Sequence, residues 1–109
     1  MPDLAELVNE LNALADEQQQ EVRRVEEHYK ALKLGIEAAV PVNKDLFLSF
    51  CKFSDTWRIC VTSTSEDYIK PFSDCKRDIR FDCYPYLGAL GDKIAGILRT
   101  KISQIKQVR

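Results

Sequence analysis

The residues from which covalent or metal chemistry would have to be built are one histidine and four cysteines. His28 stands beside Glu26 and Glu27, and it becomes a general base for a nucleophile only if the fold carries a thiol to it. Without that partner it reads as a solvated or packed side chain. Cys51, Cys60, Cys75 and Cys83 follow one another at intervals of nine, fifteen and eight residues. A zinc knuckle joins two ligands through a short Cys-x-x-Cys turn, which this spacing lacks. A chain of 109 residues can build a core without staples, so the cysteines are expected as reduced thiols in a cytoplasmic protein. Asp16/Glu17 and Glu66/Asp67 are neighbours in sequence, which does not make their carboxylates converge; they read as helix surface and cap.

Phosphate and nucleic-acid chemistry have weaker carriers. Gly88-Ala-Leu-Gly91 lies where a phosphate-cradling turn would, but lacks both the G-x-G-x-x-G pattern and the G-K-[ST] ending. Its small residues are expected to allow close helix–sheet packing instead. Lys76, Arg77 and Arg80 near Tyr84 and Tyr86 combine cations with rings on which bases can stack. Residues 41–85 nevertheless hold seven acids and seven bases, a net charge of zero. These residues predict neither a cofactor nor a metal, and no enzyme activity.

The element that organises the chain is at its start. Leu4, Val8, Leu11, Ala15, Gln18, Val22, Val25, Tyr29, Leu32 and Ile36 alternate four and three apart, a heptad seam apolar at every position but Gln18. The intervening residues favour helix. Asp3 and Glu6 form a capping-box pattern, and Val40 before Pro41 marks the expected stop. A helix over residues 4–36 would be roughly 50 Å long at ~1.5 Å per residue. A compact domain of this length has a radius of gyration of only ~13 Å. The helix must therefore protrude, and a protruding apolar seam calls for a cover; a second copy is the simplest candidate. Flanking positions disfavour a parallel two-stranded coil, since Glu21 would face Glu26 of the partner. Leu7 and Leu14 widen the stripe, which suits an antiparallel partner or a larger bundle. Gln18 either fixes register or is tolerated where partners diverge.

Residues 41–44 break the chain. The runs 45–53 and 56–63 are rich in β-branched and aromatic residues around a Ser54-Asp55 turn and predict a hairpin over 45–63. Pairing Phe53 with Thr56 gives one face to Leu46, Leu48, Phe50, Trp57, Ile59 and Val61. The other face holds Phe47, Ser49, Cys51, Phe53, Thr56, Arg58, Cys60 and Thr62, which is either covered by a helix or subunit or used to bind a partner. Thr64 or Ser65 is expected to cap a helical turn through Lys70, and residues 71–78 read as loop. Alternation over Ile79–Tyr84 predicts a third strand at 78–84, with Arg80 and Tyr84 on its polar face. Apolar residues from Leu87 to Val108 then keep helical spacing, giving a C-terminal helix over 86–108 that starts as late as Asp92 if its glycines weaken it.

The expected fold is α+β: residues 1–40 a long amphipathic, coiled-coil helix that oligomerises, and residues 41–109 a small domain with a three-stranded antiparallel sheet. Charge is divided along it, with −5 over residues 1–40 and +4 over residues 86–109. The acidic first helix and basic last segment suit each other as packing partners, within or between chains. Function is expected to be non-enzymatic: a self-associating interaction module, such as a small regulator, adaptor or inhibitor. The ten seam positions would make a homodimer or higher oligomer, and Phe47, Phe53, Arg58, Arg80 and Tyr84 would face another protein. The alternatives are a nucleic-acid-binding dimer using the basic C-terminal helix, and an oligomer capturing a small anion near Arg58 or Arg80. No apolar run approaches membrane-spanning length, and no secretory leader is expected.

Overall fold

The computed structural model describes residues 3–107. Val108 and Arg109, assigned above to the C-terminal helix and its basic tail, lie outside the described residues. Helix α1 (Leu4–Leu32) is capped at Asp3, whose carboxylate accepts from the Ala5 N–H at 2.9 Å. It stops well short of the expected residue 40. Lys33 turns into the left-handed region (φ 51°), its N–H closing on the Lys30 carbonyl, and Gly35 follows at φ 62°. Two such residues in three cannot continue a right-handed helix. Ile36 therefore lies beyond the helix, and Ala38–Pro41 form strand β1 rather than its last turn.

Strands β2 (Leu46–Phe53) and β3 (Thr56–Ser63) form the expected hairpin, with Phe53 opposite Thr56. Ser54 and Asp55 both have positive φ, as a two-residue type I′ turn demands. The expected helical turn after β3 is instead a turn into β4 (Tyr68–Pro71). Asp45 decides it from a distance: its carboxylate accepts from the hydroxyls of Ser63 and Thr64 and from the Ser65 N–H. The sheet thus has four antiparallel strands in the order β1-β2-β3-β4, not three.

The segment expected as a third strand is helix α2 (Arg77–Cys83), reached through a 3-10 turn at Phe72–Asp74. Ile79 and Cys83 share a face in strand alternation but are also i,i+4 on a helix face, and it is the helix face that is packed inward. A second 3-10 turn, Tyr84–Tyr86, leads into α3 (Leu87–Gln107), whose glycines do not delay its start. Gly91 has a specific use: a Cβ there would stand 2.9 Å from the Tyr29 hydroxyl oxygen, where α1 crosses α3.

The helices share one side of the sheet. Ala38, Val40, Leu46, Leu48, Phe50, Ile59 and Val61, all on one face by register, form the core with Val22, Phe72, Cys83, Leu90 and Ile94. Tyr29 meets Phe50 edge-on, and Phe50 stacks on Trp57. The C-terminal half of α1 is therefore not wound on another helix, as the coiled-coil expectation had it; its stripe lies on the sheet of its own chain.

The molecule measures 69 × 28 × 25 Å, with a radius of gyration of 16.5 Å. At ~1.5 Å per residue α1 is about 43 Å long and α3 about 32 Å, so neither fits across the short axes. From the Tyr29–Gly91 crossing, α1 runs back ~37 Å to Leu4 and α3 runs on ~24 Å to Gln107. Arg77 lies beside Asn12 and Gly91 beside Tyr29, so the chain advances along α1 toward its C-terminus and α3 carries on beyond it, which accounts for the 69 Å axis. The N-terminus of α1 and the C-terminus of α3 thus project from opposite ends.

Candidate interaction surfaces

The seam predicted to join copies is divided by the fold. Ala15 and Val22 are buried, and Val25 and Tyr29 pack half-buried against the chain's own core. Gln18 turns inward with its Oε1 buried and without a hydrogen-bond partner among the described residues. Leu32 is exposed at the helix end, and Ile36 is buried in the connector. Leu4, Val8 and Leu11 remain, and with Leu7 and Leu14 they form a stripe open to water; Leu4 is 72% exposed. Every residue from Asp3 to Leu14 is exposed, and the one hydrogen bond this stretch receives from another element, among the described residues, is from Arg77 of α2 to the Asn12 Oδ1 at 2.8 Å. Residues 99–107 of α3 are exposed in the same way, carrying Ile102 and Ile105 outward along the stripe that starts at Leu90 and Ile94.

A second surface is the sheet face opposite the helices. Phe47, Cys51, Phe53 and Thr62 are half-buried there and Ile69 is exposed; Cys51, Thr62 and Ile69 line a shallow open groove of about 300 Å³. Ser49 and Cys60 are buried between them. Burial first, and the neighbouring Cys51 thiol second, raise the Cys60 pKa. Cys83, on the core side, is pushed by burial up to about 12. Both stay protonated at neutral pH and are poor nucleophiles.

Of the residues predicted to face a partner, only Phe47, Phe53 and Arg58 come from this sheet face. Arg80 and Tyr84 belong to the helical layer, because the segment carrying them is not a strand. Arg80 donates to the Cys75 carbonyl. Arg58 turns round the free edge of β3, and its Nε meets both oxygens of Glu26 at 3.2 Å. An anion near Arg58 would have to compete with that carboxylate.

Glu26, which the heptad pattern puts at a flanking position facing a partner helix, is instead built into its own chain. It is 7% exposed, and its Oε2 also accepts from the Ile59 N–H at 2.8 Å. The geometry explains why that donor is free. The two-residue turn makes Phe53/Thr56 a pair that exchanges both bonds, so by alternation Phe50/Ile59 is a pair that exchanges none. The Ile59 N–H therefore points away from β2, and β4 has already ended at Pro71 opposite Cys60. Glu26 stands where a strand carbonyl would. The available signal was an acid placed four residues after Val22 and three before Tyr29, inside the apolar stripe.

His28 is exposed on α1. Among the described residues no group of three metal-binding side chains converges, and no helix is long and apolar enough to cross a membrane. No family model matches this chain, and no match to it was found among curated proteins or solved structures.

Proposed function

We propose that the protein is a non-enzymatic, self-associating interaction module of the cytoplasm, a small regulator, adaptor or inhibitor that acts by binding another protein. One observation carries the reading: twelve consecutive exposed residues of α1, Asp3–Leu14, present five large apolar side chains on one side. Each gains ~1.5–3 kcal/mol on full burial, which the chain itself does not provide. A second copy covers the stripe, and the open sheet face with Phe47 and Phe53 is left for the other protein. The four free thiols suit a reducing compartment.

The test is mass by light scattering after gel filtration, under reducing conditions at a low and a high concentration. The wild type is expected to exceed one chain, and Leu7→Asp/Leu11→Asp to return it to one chain with an unchanged circular dichroism spectrum. A wild type that stays at one chain at both concentrations sinks self-association. A second reading, nucleic-acid binding at the basic end of α3, draws support from the exposed Arg99, Lys101 and Lys106. It requires binding that weakens steeply with added salt.

A further inference from the structure

We propose that the projecting segment of α1 (residues 3–14) docks on the projecting segment of α3 (residues 99–107) of a second copy. This rests on the self-association reading and names the two surfaces that meet. Each segment continues a stripe that is core further along its own helix, so each offers an apolar face already aligned with its axis. Leu4, Leu7, Val8, Leu11 and Leu14 stand on one, and Ile102 and Ile105, 62% exposed, on the other.

Charge decides between this pairing and the symmetrical one. Residues 3–14 carry Asp3, Glu6 and Glu10 and no base; residues 99–107 carry Arg99, Lys101 and Lys106 and no acid. The three ion pairs found among the described residues are Arg24–Glu21, Lys30–Glu27 and Arg58–Glu26, so none of these six charges is matched within them. Pairing α1 with α1 of another copy would set three acids against three acids. Pairing α1 with α3 sets them against three bases, and like-charge juxtaposition discriminates between interfaces.

The two segments cannot meet within one chain, because they project from opposite ends of a 69 Å molecule. Between chains that same disposition helps. A two-fold axis across the long axis places each copy's acidic end beside the other's basic end, making two equivalent contacts at once. The helices then run antiparallel, with the positive dipole end of α1 near the negative end of α3. One contact of this length is short against the ~1,200–2,000 Å² of a stable interface, which favours the doubled arrangement.

The experiment is charge reversal at exposed positions, Glu6→Lys/Glu10→Lys and Lys101→Glu/Lys106→Glu, read by light scattering at low ionic strength. Each variant alone is expected to need about tenfold more protein to associate, the equivalent of ~1.4 kcal/mol. Mixed in equal amounts, the two are expected to regain wild-type association, because each supplies the end the other now lacks. That rescue also shows both variants are folded. If Lys101→Glu/Lys106→Glu leaves association unchanged, or Glu6→Lys/Glu10→Lys strengthens it, α1 pairs with α1 and the proposal falls while self-association survives. A wild type that is monomeric throughout removes both.

Discussion

The two halves of α1 share one stripe and one helical period but end up in opposite situations. From Val22 to Tyr29 the stripe is closed by Phe50, Trp57 and the rest of the core, and Ala15 is buried as well. From Leu4 to Leu14 it stays exposed, with only Arg77 of α2 reaching over to Asn12. Apolar residues at helical spacing state that a face is to be buried; they do not state by what. Sequence spacing is blind to the division at Ala15, which is set by how far the sheet and α2 reach along α1, with Arg77 of α2 still donating to Asn12.

The sharpest test substitutes the same residue type two heptads apart. Val22 is 4% exposed and lies in the core cluster, so Val22→Asp buries an unpaired charge. A loss of more than about 4 kcal/mol is expected, enough to abolish the cooperative thermal transition seen by circular dichroism. Val8→Asp should leave the fold intact and change only the mass in solution. If the two variants lose fold alike, the distinction between covered and uncovered halves is wrong.

Glu26 marks the near side of that boundary. Glu26→Ala leaves the Ile59 N–H without an acceptor and Arg58 without its counter-ion. A cost of about 2–3 kcal/mol in urea unfolding is expected. Glu26→Gln keeps an acceptor for Ile59 and should cost less. Equal losses would mean that the ion pair with Arg58, not the backbone cap, is what α1 contributes at this edge.

Much of the fold was legible because it depends on local pattern. The hairpin register followed from two alternating faces that agree, and the N-terminal cap from Asp3 alone. What failed was settled by distant groups. Ala38–Pro41 continues plausibly as helix until Lys33 and Gly35 turn left-handed and β2 offers a partner. Ser65–Lys70 looks like a capped turn until Asp45, across the hairpin, holds it as the bend into β4. Ile79–Cys83 alternates well enough for a strand, yet five residues with an i,i+4 apolar pair fit a helix equally. For the candidate surfaces, the apolar stripe of Leu4–Leu14 was legible, including the widening by Leu7 and Leu14. Its boundary at Ala15 was not, and the buried role of Glu26 needed the edge of β3 to be seen.

Asp45 supplies a smaller effect with a defined pH dependence. Hydrogen bonds from Ser65 first, then Ser63 and Thr64, hold its carboxyl below the ordinary value of 3.8. A carboxylate whose folded pKa is depressed stabilises the fold above the unfolded value and loses that contribution as pH falls through the folded one. Asp45→Ala is therefore expected to be less stable than wild type at pH 7. The difference should begin to close near pH 3.8 and vanish below the lowered folded value. A gap that persists unchanged into strong acid would show that the ionised carboxylate is not what braces the turn.

The smallest expected effect concerns the crossing that sends the two helix ends apart. Gly91→Ala should gain ~1 kcal/mol of helix propensity, but its Cβ would meet the Tyr29 hydroxyl oxygen at 2.9 Å. Tyr29 cannot yield freely, because its ring is held edge-on to Phe50 at 5.4 Å between centroids. In the wild-type background the gain and the strain are expected to offset, leaving stability nearly unchanged. In Tyr29→Phe the obstructing oxygen is gone, so Gly91→Ala should stabilise by nearly the full ~1 kcal/mol. A double-mutant cycle in urea measures the difference, with coupling of about 0.5–1 kcal/mol expected. Additive substitutions would mean that α1 and α3 separate at little cost. The crossing would then be loose, and the opposed projection of the two charged ends would not be set by close packing at Gly91.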